Sequence, residues 1–69
     1  MLPRVNLLGT SERYANIITP ITRDQIKPGM VYIQKIDDFW CVFKQTNAGK
    51  IRRGGYKTIP DAVFGALWK

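Results

Sequence analysis

The chain has 69 residues, of which 45% are hydrophobic, and carries a net charge of +6 without any histidine. That length allows one domain with a small core, and the ordinary apolar fraction excludes wholesale disorder. No apolar run reaches the roughly 18 residues of a membrane helix, no secretory signal pattern opens the chain, and a single cysteine excludes an internal disulfide. These features predict a cytoplasmic domain without a membrane partner.

The first quarter of the chain has no clear periodicity. Pro3 and Gly9 interrupt the apolar pattern, so residues 1–15 are predicted to form an irregular N-terminal arm. Residues 16–69 are predicted to form a single small α+β domain.

Two short elements are predicted next. Residues 16–19 are β-prone, and the stretch ends at Pro20. Thr22, followed three residues later by Gln25, has the form of a capping box. Because Pro28 follows so soon, at most one helical turn is expected there.

Three strands are expected in the middle of the chain. Residues 30–36 and 39–46 are rich in β-branched and aromatic side chains, and residues 50–57 return as the third strand. The two acids after residue 36 form the first turn, and residues 47–49 form a three-residue loop with a glycine in its last position. The sequence therefore predicts an antiparallel meander.

A helix is expected to follow the third strand. Thr58 can cap it, Pro60 is tolerated in its first turn, and Asp61 lies near the positive end of the helix dipole. The predicted fold is thus a three-stranded antiparallel sheet packed against one C-terminal helix. An OB- or SH3-like barrel is the alternative if residues 17–18 add a fourth strand and the helix is short. The apolar stripe of the helix consists of Ala62, Val63, Ala66 and Leu67, widened by Phe64 and Trp68.

Pairing across the two predicted turns sorts the side chains into two faces. One face is apolar and is expected to carry the helix: Met30, Tyr32, Ile36, Phe39, Cys41, Phe43 and Ile51. The opposite face gathers cations and aromatics, which suit phosphate and base contacts. With Arg53 at its edge, this predicted nucleic-acid-binding surface consists of Lys35, Trp40, Lys44, Lys50, Arg52, Arg53 and Tyr56.

An alternative assigns part of that second face to the core. Val31, Ile33 and Val42 share it, and apolar residues of the N-terminal arm could cover them. Trp40 is then a structural aromatic rather than a binding residue. A one-residue slip in register exchanges the two faces.

Residues 39–67 carry a further pattern. They read Phe-Trp-Cys-Val-Phe-Lys, a turn ending Gly-Lys-Ile-Arg-Arg, a Gly-Tyr-Lys-Thr strand end and then Asp-Ala. This order resembles the DNA-binding domains of the plant ethylene-response-factor type, and it is similar to the arm-site-binding N-terminal domains of phage and transposon integrases. The resemblance implies that the sheet enters the major groove. It nominates Trp40, Lys44, Lys50, Arg52 and Arg53 for the DNA contacts.

The sequence contains no catalytic or cofactor-binding constellation. Without histidine, the one cysteine cannot build a zinc site, and Cys41 has the setting of a small apolar core residue. We therefore expect a binding protein rather than an enzyme, with no cofactor. The first expectation is a regulatory or recombination accessory protein that binds nucleic acid, with duplex DNA as the form that the resemblance implies. The alternative is a protein-binding inhibitor or adaptor, such as a phage-encoded factor that docks on an acidic host surface.

Overall fold

A computed structural model describes residues 4–68, so residues 1–3 of the expected arm and residue 69 lie outside it. Its five strands form one open sheet in the order β2-β1-β3-β4-β5. Single 3-10 turns, Glu12–Tyr14 and Arg23–Gln25, follow β1 and β2. The strands and the helix are β1 (Val5–Leu8), β2 (Ile18–Ile21), β3 (Val31–Ile36), β4 (Phe39–Thr46), β5 (Gly49–Tyr56) and α1 (Ile59–Leu67).

The predicted meander and C-terminal helix are confirmed. Strands β3, β4 and β5 are antiparallel neighbours, and each begins and ends within one residue of its predicted bounds. The backbone N–H of Asp61 donates to the Thr58 hydroxyl at 3.2 Å, which is the expected helix cap. Within residues 4–68, no helix is long and apolar enough to cross a membrane.

The prediction of a three-stranded sheet with an irregular arm is wrong for the first part of the chain. Residues 5–8 form β1, which lies between β2 and β3 and is parallel to both. The Asn6 side-chain amide also donates to the Val31 carbonyl at 3.2 Å. The N-terminal segment is therefore an interior strand. The sheet remains open, with β2 and β5 at its two edges, so the barrel alternative is not adopted.

The two sides of the sheet are covered differently. One side, the helix face, carries α1 and the larger buried cluster: Val5, Leu7, Ile18, Ile33, Val42, Ile59, Ala62 and Val63. The other side, the far face, has a smaller cluster: Ile21, Tyr32, Cys41 and Phe43. Among residues 4–68, the partly buried apolar side chains that pack against this smaller cluster are Leu8 and, from the β2–β3 connection, Ile26 and Met30.

The helix therefore lies on the face opposite to the predicted one. The apolar surface of Ile33 and Val42 continues through three more buried residues, Val5, Leu7 and Ile18. This face therefore offers the helix a larger apolar area than the far face does. Burial of apolar area is the main force that holds so short a helix. The residues at its buried side are Ile59, Ala62 and Val63, whereas Phe64, Leu67 and Trp68 of the predicted stripe are exposed.

Candidate nucleic-acid interface

The β4–β5 turn is one residue shorter than expected. Thr46 pairs with Gly49, which leaves a two-residue turn, and Gly49 has the positive φ expected for it. The Thr46 hydroxyl donates to the Gly49 carbonyl at 2.7 Å and accepts the Ala48 N–H at 3.2 Å. These bonds hold the shorter turn closed.

A β-bulge absorbs the difference in register. Val42 pairs with Gly54, as predicted, but Phe43 pairs with Arg52, so Arg53 is the extra residue on β5. The half of the hairpin farther from the turn therefore keeps the predicted register, including the pair of Trp40 with Tyr56. In the half nearer the turn, β5 is shifted by one residue, so the β5 side chains there lie on the opposite face while those of β4 keep theirs.

The seven predicted site residues consequently do not share one surface. Paired residues lie on one side of a sheet, so Lys50 and Arg52 accompany Gln45 and Phe43 on the far face. Arg53 occupies the bulge at the sheet edge. The other four lie on the helix face: Lys35, Trp40, Lys44 and Tyr56.

Trp40 and Tyr56 are packing residues in this arrangement. Trp40 is partly buried against the helix-face cluster, with the Lys35 ammonium 5.5 Å from its ring centroid. The Tyr56 ring lies between β5 and α1, where its hydroxyl occupies the position that a Cβ atom on Gly65 would need and lies 3.0 Å from that of a Cβ on Gly54. The surroundings of Trp40 favour the interpretation that it is a structural aromatic and not a binding residue. Neither Trp40 nor Tyr56 lies on an open face of the sheet.

The outer end of the hairpin is the most cationic exposed part of the protein. Every residue from 47 to 53 is exposed. Residues 39–60 contain no aspartate or glutamate, while the two acids of the β3–β4 turn lie at the other end of β4, about 25 Å away along eight residues. We call the following four residues the cationic tip: Lys44, Lys50, Arg52 and Arg53.

Two of these side chains lie along the far face. The Lys50 ammonium is 4.6 Å from the centroid of the Phe43 ring and donates to Gln34 Oε1 at 3.3 Å. The Arg52 guanidinium lies over Gly55, so near that an added Cβ there would meet it at 2.5 Å. Both cations therefore rest on the sheet and remain exposed to a ligand.

Other chemistry is sparse in residues 4–68. No three His, Cys, Asp or Glu side chains gather there in a way that could hold a metal ion, and Cys41 is buried. The pKa of Asp24 is lowered from its ordinary value of 3.8, chiefly by the hydrogen bond that its carboxylate accepts from the Thr22 hydroxyl. This carboxylate therefore stays charged to lower pH than an ordinary one.

No protein-family model matches the chain, and neither a curated protein nor a solved structure is detectably similar to it. The resemblance to sheet-plus-helix DNA-binding domains therefore stays a prediction. Of the residues it nominates, the structure brings Lys44, Lys50, Arg52 and Arg53 to the outer end of the hairpin and separates Trp40 from them, beside the helix. The absence of acids between residues 39 and 60 is the sequence signal that marks the hairpin as a unit.

Proposed function

We propose that this chain binds nucleic acid, namely duplex DNA, through the cationic tip, and acts as a regulatory or recombination accessory protein. The observation that carries the proposal is the placement of four cations at the outer end of a hairpin that contains no acidic residue and whose residues 47–53 are all exposed. Phosphate neutralisation by Lys and Arg supplies most of the affinity in such complexes.

The distribution of cations over both faces suits a groove. The major groove of B-DNA is about 12 Å wide and admits a two-stranded β-ribbon. A ribbon that enters it has phosphates on both sides, and here Lys44 projects on one face while Lys50 and Arg52 project on the other. Arg53, the extra residue of the bulge on the edge strand β5, supplies the fourth phosphate contact.

The same geometry predicts a preference among nucleic acids. The major groove of A-form RNA is too deep and narrow for protein side chains to read. Single strands are held by exposed aromatic platforms, whereas Phe43, the aromatic beside the tip, is buried. We therefore expect duplex DNA to bind more tightly than duplex RNA or single strands.

The test is fluorescence anisotropy with a labelled 20-base-pair duplex at several salt concentrations. With about four phosphate contacts, the slope of log K against log salt should be roughly −3 to −4. The double substitution Arg52→Gln/Arg53→Gln should reduce that slope by about 2.

A matched control removes two positive charges elsewhere. Arg13→Gln/Lys57→Gln lowers the net charge by the same two units, but both residues are exposed and lie outside the tip. This variant should keep nearly the full slope. If both doubles weaken binding equally, overall charge rather than the tip attracts DNA, and the proposed interface is wrong.

Protein binding is the second candidate, and one feature favours it. Phe64 and Trp68 are 63% and 69% exposed, their ring centroids are 5.8 Å apart, and Leu67 beside them is also exposed. Exposed apolar clusters of this kind mark interaction surfaces. A flat salt dependence, or no DNA binding at low salt, favours this candidate over the first.

A further inference from the structure

The far face contains a depression, and Lys50 is the one lining residue that also belongs to the cationic tip. Its volume is about 260 Å³, and it lies between the β2–β3 connection and the outer ends of β3, β4 and β5. Leu8, Ile26 and Tyr32 form its apolar wall. Ligand sites typically measure about 300–1,000 Å³, so this depression lies just below that range and has room only for a compact molecule.

Two cations from distant parts of the chain line this depression. Arg23 comes from the second 3-10 turn, and Lys50 comes from β5. The amides of Gln34 and Gln45 also line the depression and provide both donors and acceptors. None of the lining residues is acidic, so the lining itself carries two positive charges.

The fold holds the Lys50 ammonium and the backbone that carries Arg23. Arg23 belongs to a turn closed by the Thr22 N–H, which donates to Gln25 Oε1 at 2.9 Å. The neighbouring carboxylate of Asp24 accepts the Thr22 hydroxyl and is engaged within the turn itself. Lys50 is held by its hydrogen bond to Gln34 and by the face of the Phe43 ring. Positioned donors of this kind bind an anion at a lower entropic cost than free side chains.

From this arrangement we infer that the depression binds a small organic anion, with its phosphate or carboxylate head between Arg23 and Lys50 and a compact apolar body against Leu8 and Ile26. The head replaces Gln34 as the partner of the Lys50 ammonium, because a charge-assisted hydrogen bond is stronger than one to a neutral amide. The inference does not depend on the proposed DNA binding, since Arg23 and the apolar wall lie outside the cationic tip.

The experiment is a titration followed by two-dimensional ¹H–¹⁵N NMR of the full chain, with phenyl phosphate as the probe. Saturable shifts are expected at the side-chain amides of Gln34 and Gln45 and at the backbone amide of Ile26. Inorganic phosphate, which lacks the apolar body, should bind more weakly, and phenol, which lacks the charge, should bind more weakly still. Shifts of equal size with phenol, or no saturation with phenyl phosphate, would overturn the inference.

Single substitutions locate the site. Arg23→Gln and Lys50→Gln should each weaken phenyl phosphate binding roughly three- to tenfold, since each removes one charge-assisted hydrogen bond at a partly exposed site. Lys35→Gln, on the helix face, is the matched control and should leave the affinity unchanged. Equal effects from all three variants would show that the probe senses only net charge, which contradicts the inference.

A DNA titration on the same spectra separates the two sources of phosphate. If duplex DNA moves the Gln34 and Gln45 amides and displaces phenyl phosphate, the anion is a backbone phosphate of the nucleic acid. If those resonances stay in place while phenyl phosphate moves them, the ligand is a free small anion. Arg23→Gln with normal DNA binding but weakened phenyl phosphate binding supports an independent site. Failure of DNA binding alone leaves this inference intact.

Discussion

The two faces of the sheet differ in how completely they are covered, and this difference separates packing from binding. On the helix face, α1 closes a cluster of eight buried residues, and the cations beside it lie around packed aromatics. On the far face, a cluster of four is covered by a short connection, and cations, amides and apolar groups remain accessible. An aromatic among cations, such as Trp40, is therefore no guide to a binding face until the position of the helix is known.

The largest expected difference concerns two isoleucines on one strand. Ile33 is 0% exposed on the helix face, whereas Ile36 is 39% exposed on the far face. Ile33→Ala should lower the free energy of unfolding by about 4–5 kcal/mol, since it empties the centre of the core. Ile36→Ala should cost about 1 kcal/mol or less.

Urea denaturation measures both costs. A small domain has a total stability near the lower end of about 5–15 kcal/mol, so the Ile33 variant should be close to unfolded at 37 °C. Similar costs for the two substitutions would mean that the two faces are equally packed, which would contradict the difference in coverage described above.

The two tryptophans provide a second contrast. Trp40 packs against the helix-face cluster, and Trp68, which is 69% exposed, follows α1. Trp40→Ala should cost about 3 kcal/mol, at the lower end of the range for large aromatics because Trp40 is only partly buried. Trp68→Ala should cost no more than about 1 kcal/mol, mostly from its ring pair with Phe64.

Thermal denaturation gives the two stabilities, and anisotropy with the duplex gives the function. Trp40→Phe, which keeps a ring in the core, should bind DNA normally. A folded Trp40→Phe protein that loses DNA binding would return Trp40 to the interface.

The smallest expected effect tests the contact between Tyr56 of the sheet and Gly65 of the helix. Alanine normally stabilises a helix interior by about 1 kcal/mol relative to glycine. Gly65→Ala should instead destabilise this protein by about 1–2 kcal/mol, because the new Cβ meets the Tyr56 hydroxyl. In a Tyr56→Ala background the same change should become stabilising. A double-mutant cycle by urea denaturation measures the sign reversal, and its absence would mean that Tyr56 does not pack on Gly65.

The outcome at the β4–β5 hairpin shows how far local patterns reach. The three strands and a loop that ends in Gly49 were predictable from the sequence. The turn length was not, because Gly49 suits a two- or a three-residue loop, and the Thr46 hydroxyl bonds favour the shorter one. That single residue moves Lys50 and Arg52 to the other face, so the candidate site changed while the strands did not.

The N-terminal segment shows the other limit. Residues 5–8 have a four-residue apolar pattern that Pro3 and Gly9 flank closely, and nothing local distinguishes it from an arm. Its strand geometry comes from parallel pairing with two other segments, one of them about 25 residues away. The depression formed by Arg23 and Lys50 was equally hidden, because its residues come from four separate parts of the chain.

The sequence by itself determined the β3–β4–β5 meander, the second 3-10 turn and the capped helix, because turn residues, caps and β-branched runs act over a few neighbouring positions. It also determined the charge, including a hairpin without acids. Only the tertiary structure decided the parallel strands, the side of the sheet that α1 covers and the faces on which the cations lie. Those features depend on apolar area contributed jointly by Val5, Leu7 and Ile18 and on a one-residue register, and both are set by contacts between segments that are distant in the chain.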